Sequence, residues 1–314
     1  MKSIIGIDIG GSKTAVVEGT FDGQILNRSE IPTSATVPFE QTLPILASAV
    51  RKTLQQAESS GNQVAAISVS IGGPIDISEG VVHEPPHLSG WHGVRLRDRL
   101  QEQFPSLPVH IEHDGNAGAL AEFYFGVGRE IERLQHLIFL TLGTGLGAGI
   151  IVNGRILHGA SDTAGEVGRL IVSSATNAGP WESFSSGVGM VRLASEMFSS
   201  RWTSNTPVHE LIEAVLRCDK DATAVAHAVG QWLGRGLALL VDTLNPEFIV
   251  LGTLGVVLGE HLLAPAREML SDLALPRAVA ACKIVPTTFG KQIGDVASLM
   301  AAYNDQQIKG CKQK

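Results

Sequence analysis

Short, nearly unbroken apolar runs alternate along this chain with longer stretches whose apolar residues recur at helical spacing. Ser3–Ile9 and Thr14–Thr20 are strand-like runs, and Asp22-Gly23 is a hairpin turn into a third strand over Gln24–Ile31. Over Phe39–Ser59 the spacing of Leu43, Leu46, Ala47, Val50 and Leu54 predicts a helix. Val64–Ile71 is again strand-like, Val94–Phe104 is an amphipathic helix, and Val109–Glu112 is a short strand with Asp114 just past its end. The Ala-rich Asn116–Phe125 is helical. A strand hairpin followed by β-α-β alternation predicts an α/β domain.

The pattern then restarts. His136–Leu142 is a strand, Gly143-Thr144-Gly145-Leu146-Gly147 a loop, Ala148–Val152 a strand, Asn153-Gly154 a turn and Arg155–His158 a strand. Laying D-I-G-G-S-K-T-A-V-V (8–17) over T-L-G-T-G-L-G-A-G-I (141–150) aligns strand, glycine loop and strand in order, which predicts an internal duplication. Helices follow over about Gly187–Arg201, Pro207–Cys218 and Ala222–Leu244, then a strand at Phe248–Leu251 and the loop Gly252-Thr253-Leu254-Gly255. A helix over Glu260–Leu273, a strand at Cys282–Pro286 and a last helix over Asp295–Gln306 close the chain. No low-complexity linker separates the halves. The expected division is residues 1–115 with about 294–314 returning to them, and residues 116–293.

Composition narrows the function classes. A length of 314 residues suits two domains. A formal net charge of -7 with no Lys/Arg block argues against nucleic acid as a partner. Cys218, Cys282 and Cys311 lie far apart with no CxxC pair, which points to a reducing cytoplasm rather than a disulfide framework. Met1-Lys2-Ser3 leads straight into a strand without a signal-peptide pattern, and no apolar run reaches bilayer length, so a membrane partner is not expected.

Glycines let backbone N–H groups approach an anion closely. The first loop offers Gly10 and Gly11 with the hydroxyls of Ser12 and Thr14 and the Lys13 ammonium. The second offers Gly143, Thr144, Gly145 and Gly147. Either loop alone reads as well as a glycine-rich hairpin. Two at equivalent points of a duplicated domain point to nucleotide phosphates. Asp8 would repel phosphate unless Mg²⁺, held through water, stands between them. Asp114 lies at the carboxyl end of a strand, where α/β sheets bind ligands, or it is simply a helix N-cap. Glu166 in G-E-V-G-R (165–169) is a loop carboxylate, with Glu182 downstream. Gly252, Thr253 and Gly255 form either a strand–helix turn or a rest for an adenine ring or ribose.

As a set these segments resemble the ROK family of sugar kinases and sugar-responsive repressors, within the actin/hexokinase superfamily. D-I-G-G-S-K-T and T-L-G-T-G-L-G-A-G-I-I-V-N-G resemble its two phosphate motifs, and V-L-G-T-L-G its adenosine motif. S-I-G-G-P-I-D (70–76), P-P-H-L-S-G-W (85–91), E-H-D-G-N-A-G-A-L-A-E (112–122) and A-G-E-V-G-R (164–169) resemble its sugar-side segments. The resemblance runs from residue 4 to about 300. It implies two duplicated ribonuclease-H-like (actin-like ATPase) domains with an interdomain cleft, ATP and Mg²⁺ as cofactors, and a hexose or N-acetylhexosamine phosphorylated at O6, glucose-like sugars first. By the same carry-over Asp114 is the catalytic base. Gly73, His87, His113, Asp114, Glu166, Arg169 and Glu182 fall at sugar-binding positions. Relatives in the family are often dimers or tetramers, and analogy with them suggests a homodimer.

Four departures cluster on the sugar side. Residues 169–186 hold none of the cysteines that commonly bind a structural zinc in the family, so no such zinc is expected. The usual histidine of G-E-x-G-H is Arg169, which cannot accept a hydrogen bond as a neutral imidazole does. His113 and His87 stand where the family has asparagines, and Gly73 runs directly into Pro74. These changes keep open a sugar-binding regulator without catalysis, or a kinase of an atypical acceptor. Family repressors carry a helix-turn-helix domain ahead of the first phosphate motif, and only seven residues precede Asp8.

Overall fold

The apolar runs become two five-stranded sheets with the same strand order. A computed structural model of the chain describes residues 1–311 apart from Ala35, Glu84, Pro86, His87 and residues 173–178. Contacts divide it into two units. One comprises Met1–Arg129, His158–Ala164 and Gln292–Lys314, the other Glu130–Leu157 and Gly165–Lys291.

In the first unit the chain runs β1 (Lys2–Ile9), β2 (Lys13–Thr20), β3 (Ile25–Pro32), α1 (Phe39–Ser59), β4 (Gln63–Ile71), the small hairpin β5 (Ile75–Asp76) and β6 (Val81–Val82), α2 (Leu96–Gln103), β7 (Val109–His113) and α3 (Asp114–Tyr124). The sheet order is β3-β2-β1-β4-β7, with β1 to β3 antiparallel and β4 and β7 parallel to β1. Both faces of β1 are covered. Ile5, Ile7 and Ile9 pack with Leu43, Leu46 and Val50 of α1, while Ile4 packs with Val17, Ala66, Leu299 and Ala302. Coverage on both sides is why β1 reads as an unbroken apolar run rather than an alternating one.

The second unit runs β8 (Leu137–Leu142), β9 (Leu146–Val152), β10 (Arg155–Ile156), α4 (Glu182–Ser185), α5 (Gly187–Met197), α6 (Val208–Leu216), α7 (Lys220–Leu244), β11 (Phe248–Leu251), α8 (Leu254–Leu258), α9 (Glu260–Leu273), α10 (Pro276–Ala281) and β12 (Lys283–Pro286). The sheet order is β10-β9-β8-β11-β12, with the first three antiparallel and the rest parallel to β8. That repeats the first sheet strand for strand. The helices α11 (Ile293–Ala297) and α12 (Met300–Cys311) then belong to the first unit.

The division differs from the expected one at two places. The boundary falls after Arg129 rather than after residue 115, because α3 packs on α11 and α12 within the first unit. The segment His158–Ala164 also belongs to the first unit, so the strand expected through His158 stops at Ile156. The last helix is two pieces, broken where the Ser298 hydroxyl donates to the Asp295 carbonyl (2.7 Å).

One described helix, α7, is long and apolar enough to cross a bilayer by length and composition, which differs from the sequence expectation. Its apolar side is core: Val225, Val229, Leu233, Leu237 and Val241 are fully buried. Its start is set by Asp219, whose side chain accepts from the Asp221 and Ala222 amides. Arg201 and those amides hold that carboxyl down at about 2. Its end is set by Asn245 in the left-handed region (φ 43°).

Candidate active site

In the first unit the parallel strands β1 and β7 both end in an aspartate region. Asp8 is only partly exposed, and burial, reinforced by the neighbouring Asp114 and Asp295 charges, pushes its carboxyl up to about 7. Asp295 lies on α11, where both its oxygens accept from Arg28 Nε at 3.0 Å. Arg28 also donates to Glu30 (2.8 Å), and Glu30 takes Lys13 Nζ at 3.2 Å. A chain of alternating charges thus runs from the first glycine turn to the Asp8 cluster.

That turn is tighter than the sequence alone suggests. Gly10 N–H donates to the Lys13 carbonyl (3.0 Å), which spends one of the amides expected to meet phosphate. The Thr14 hydroxyl shares a 2.6 Å hydrogen bond with Thr33 and is buried, so it faces the protein rather than the open side of the turn. Ser12 and Lys13 are exposed.

Asp114 opens α3. Its side chain is 40% exposed and its Oδ2 lies beside Gly72. His113, 8% exposed, caps the helix: its Nδ1 accepts from Gly115 N (3.2 Å). An accepting Nδ1 carries no proton, so the ring's N–H is Nε2, which sits 3.4 Å from Asp114 Oδ1. Glu112 is buried behind this turn. Its Oε1 accepts from His113 N and from Asn116 Nδ2, both at 2.9 Å. Its Oε2 accepts from His158 Nε2 at 2.9 Å, and this hydrogen bond raises the His158 pKa above its usual value. The His158 segment is fastened a second time where Asp162 accepts from Ile77 N (2.9 Å). Sequence reading missed Glu112, His158 and Asp295. Only Glu112 had a signal, as the first residue of E-H-D. Gly73 takes the left-handed region (φ 103°), and His87 lies outside the described residues.

In the second unit β8 and β9 are joined by Gly143-Thr144-Gly145, with Leu142 paired to Leu146. The Gly143 and Thr144 carbonyls accept from Gly187 N (2.8 Å) and Val188 N (3.4 Å) at the start of α5, which fixes the loop's peptide planes. Glu166 begins a short 3-10 turn, Val167–Arg169. This turn packs so closely on β9 that a Cβ on Gly168 would lie 2.1 Å from the Leu146 carbonyl. Arg169 itself is exposed. Glu182 Oε2 lies against both Gly145 and Gly168. At the end of β11, Gly252 N donates to Leu140 O (2.8 Å) and Thr253 is exposed in a left-handed conformation (φ 28°).

A family model described as the ROK family matches residues 4–302. This chain belongs to the ROK family. It is 29% identical over 307 residues to a glucokinase from Halalkalibacterium halodurans, covering 92% of each chain. It is 30% identical over 285 residues to a xylose repressor from Caldicellulosiruptor bescii, covering 86% of this chain and 70% of the repressor. Among solved structures, a ROK family glucokinase from Streptomyces griseus in complex with glucose and AMPPNP superposes with a TM-score of 0.78 at 26% identity, covering 95% and 98% of the two chains. The fold of this ROK protein is therefore that of the actin-like ATPase/hexokinase superfamily.

The donor chemistry suits one family-implied metal and not the other. Among the described residues no group of three His, Cys, Asp or Glu side chains is placed to hold a metal ion directly. Mg²⁺ does not need one, since it keeps waters and leans on one or two carboxylates plus phosphates. Asp8, destabilised as an anion by burial and by two more aspartates, fits that role. Structural zinc needs about four nitrogen or sulfur donors. Residues 169–186 contain neither Cys nor His, so a zinc there does not fit.

Proposed function

We propose that this ROK protein is an ATP-dependent sugar kinase that transfers the γ-phosphoryl group to a hydroxyl of a hexose or N-acetylhexosamine, O6 of a glucose-like sugar first. The observation that carries it is the Asp8, Asp114 and Asp295 cluster. One aspartate is desolvated and favours a cation beside it, and another keeps an open edge for an acceptor hydroxyl. The glucokinase relatives support the same reading.

In this account Asp114 accepts the proton of the acceptor hydroxyl, and the Nε2–H of His113 holds the carboxylate's orientation. Phosphoryl transfer asks little more of a protein than positioning, charge neutralisation and one base. Asp8 would hold Mg²⁺ through water, and the ion when bound would supply the charge neutralisation that phosphoryl transfer needs. In the first unit Gly11, Ser12 and Lys13 are the phosphate-binding residues; in the second the loop from Gly143 to Gly147 has the same role, and Gly252, Thr253 and Gly255 receive the adenosine. Glu166 and Glu182 accept from sugar hydroxyls, a task that suits carboxylates because each takes two hydroxyls at once. Arg169 brings a donor where a histidine is usual, so it retunes the sugar side. The working compartment is the cytoplasm.

A second reading, sugar binding without transfer, draws on the xylose repressor relative and on Arg169. ADP release measured with ATP and Mg²⁺ across hexoses and N-acetylhexosamines separates the two. Turnover of at least one sugar supports the kinase. Calorimetric sugar binding with no ADP release supports the second reading.

A further inference from the structure

Glu182 sits in the second unit with its carboxylate wedged against two backbones. A Cβ on Gly145 would come within 3.2 Å of Oε2, and one on Gly168 within 3.3 Å. Its helix α4 is only four residues long and too short to hold itself. The residue before it is itself firmly held. Trp181 is fully buried; its N–H donates to Leu170 O (2.7 Å) and its indole Nε1–H to Trp232 O (3.1 Å) on α7. One turn further along α7, Gly236 leaves a notch: a Cβ there would lie 2.0 Å from the Trp181 ring. Phe184, at the far side of α4, stacks on Trp232 with ring centroids 4.3 Å apart. Arg192 lies over Phe184 at 4.9 Å.

We propose that Trp181, seated in the notch that Gly236 leaves on α7, is a metal-independent anchor that positions the Glu182 carboxylate and thereby sets the affinity for the sugar. The proposal rests on the reading above that Glu182 takes sugar hydroxyls. It accounts for how this chain fixes Glu182 although the adjoining segment lacks the donors of a structural zinc. An indole locked by an N–H hydrogen bond and a glycine notch has few alternative rotamers. Its rigidity passes to the next residue along the backbone. Trp181 touches no substrate in this account, so it is a positioning residue.

The test compares Trp181→Phe, which keeps most of the bulk and loses the indole N–H, with Gly236→Ala, which fills the notch, and with Glu182→Gln. Calorimetry with glucose and with N-acetylhexosamines reads affinity apart from turnover, and kinetics split sugar KM from kcat and from KM for ATP. Both anchor variants are expected to weaken sugar affinity by about tenfold, within the range a sub-ångström misplacement produces, with KM for ATP nearly unchanged. Wild-type protein dialysed against EDTA is expected to keep its sugar affinity and to hold no stoichiometric zinc. If Gly236→Ala does not fold, Trp181→Phe decides. Lower thermal stability with unchanged sugar affinity in the folded variants overturns the anchor, as does zinc whose removal weakens sugar binding. If Glu182→Gln weakens binding while the anchor variants do not, the anchor alone fails. If Glu182→Gln binds sugar as the wild type does, or no sugar on the panel binds, the reading of Glu182 and the anchor fail together.

Discussion

In the first unit the turn after β1 stands beside three aspartates, Asp8, Asp114 and Asp295. In the second unit the matching strand β8 carries Thr141 where Asp8 stands, and the carboxylate of Glu182, from α4, lies against its loop. Strand order and sense are the same in both sheets, so the backbone scaffold does not explain this difference. The side chains at one strand end do. The first unit concentrates negative charge where burial makes it costly, which is how a protein prepares to hold a cation. The second has one carboxylate, Glu182, shown against its loop and fixes the loop's peptide planes by backbone contacts to α5, which suits an anion approaching amide groups.

The largest expected break in this comparison is Asp8→Asn. The folded pKa of Asp8 lies at about 7 against 3.8 unfolded, so ionising it costs stability. The cost is absent below pH 3.8, grows through the interval and is complete above about 7. Three pKa units correspond to roughly 4 kcal/mol. Urea unfolding of Asp8→Asn should show a gain of a few kcal/mol over wild type at pH 8 and almost none near pH 4, while ATP turnover falls. A variant less stable than wild type at pH 8 would refute the charge cluster.

Next in size is a pair in the second unit. Gly168→Ala drives a Cβ against the Leu146 carbonyl and should cost about 1–3 kcal/mol. Gly143→Ala meets nothing within 4 Å, so it should melt like wild type while KM for ATP rises. Equal melting temperatures for the two would mean that backbone contact does not fix this loop.

Smaller again is His158→Gln. Glu112 raises the His158 pKa, so the imidazolium contribution is present below pH 6.5 and fades as pH climbs through the folded value. A part-exposed pair of this kind is worth about 1 kcal/mol. The variant should lose that at pH 6 and less at pH 8.5. Smallest is Glu30→Gln, which breaks exposed pairs with Lys13 and Arg28 and should leave the melting temperature where it is.

Much of the scaffold was legible because the chain obeys simple periodicities. The bounds of α1, β11 and α9 coincide with the predicted ones, and the echo of D-I-G-G-S-K-T in T-L-G-T-G-L-G corresponds to a repeated sheet. What stayed hidden depends on contacts distant in sequence. Asp295 joins Asp8 only because α11 returns to the first unit, and His158 reaches Glu112 only because residues 158–164 pack there. Thr14 read as a phosphate ligand because its partner, Thr33, is 19 residues away, just past the end of β3. Trp181 carried no motif, and its role depends on Gly236 one turn past Trp232.

The kinase reading meets its most direct test in Asp114→Asn, assayed for ADP release and for sugar binding in parallel. The account predicts turnover lower by about 10²–10⁴-fold, the usual reach of a general base, with sugar binding retained. Turnover at the wild-type rate would contradict it.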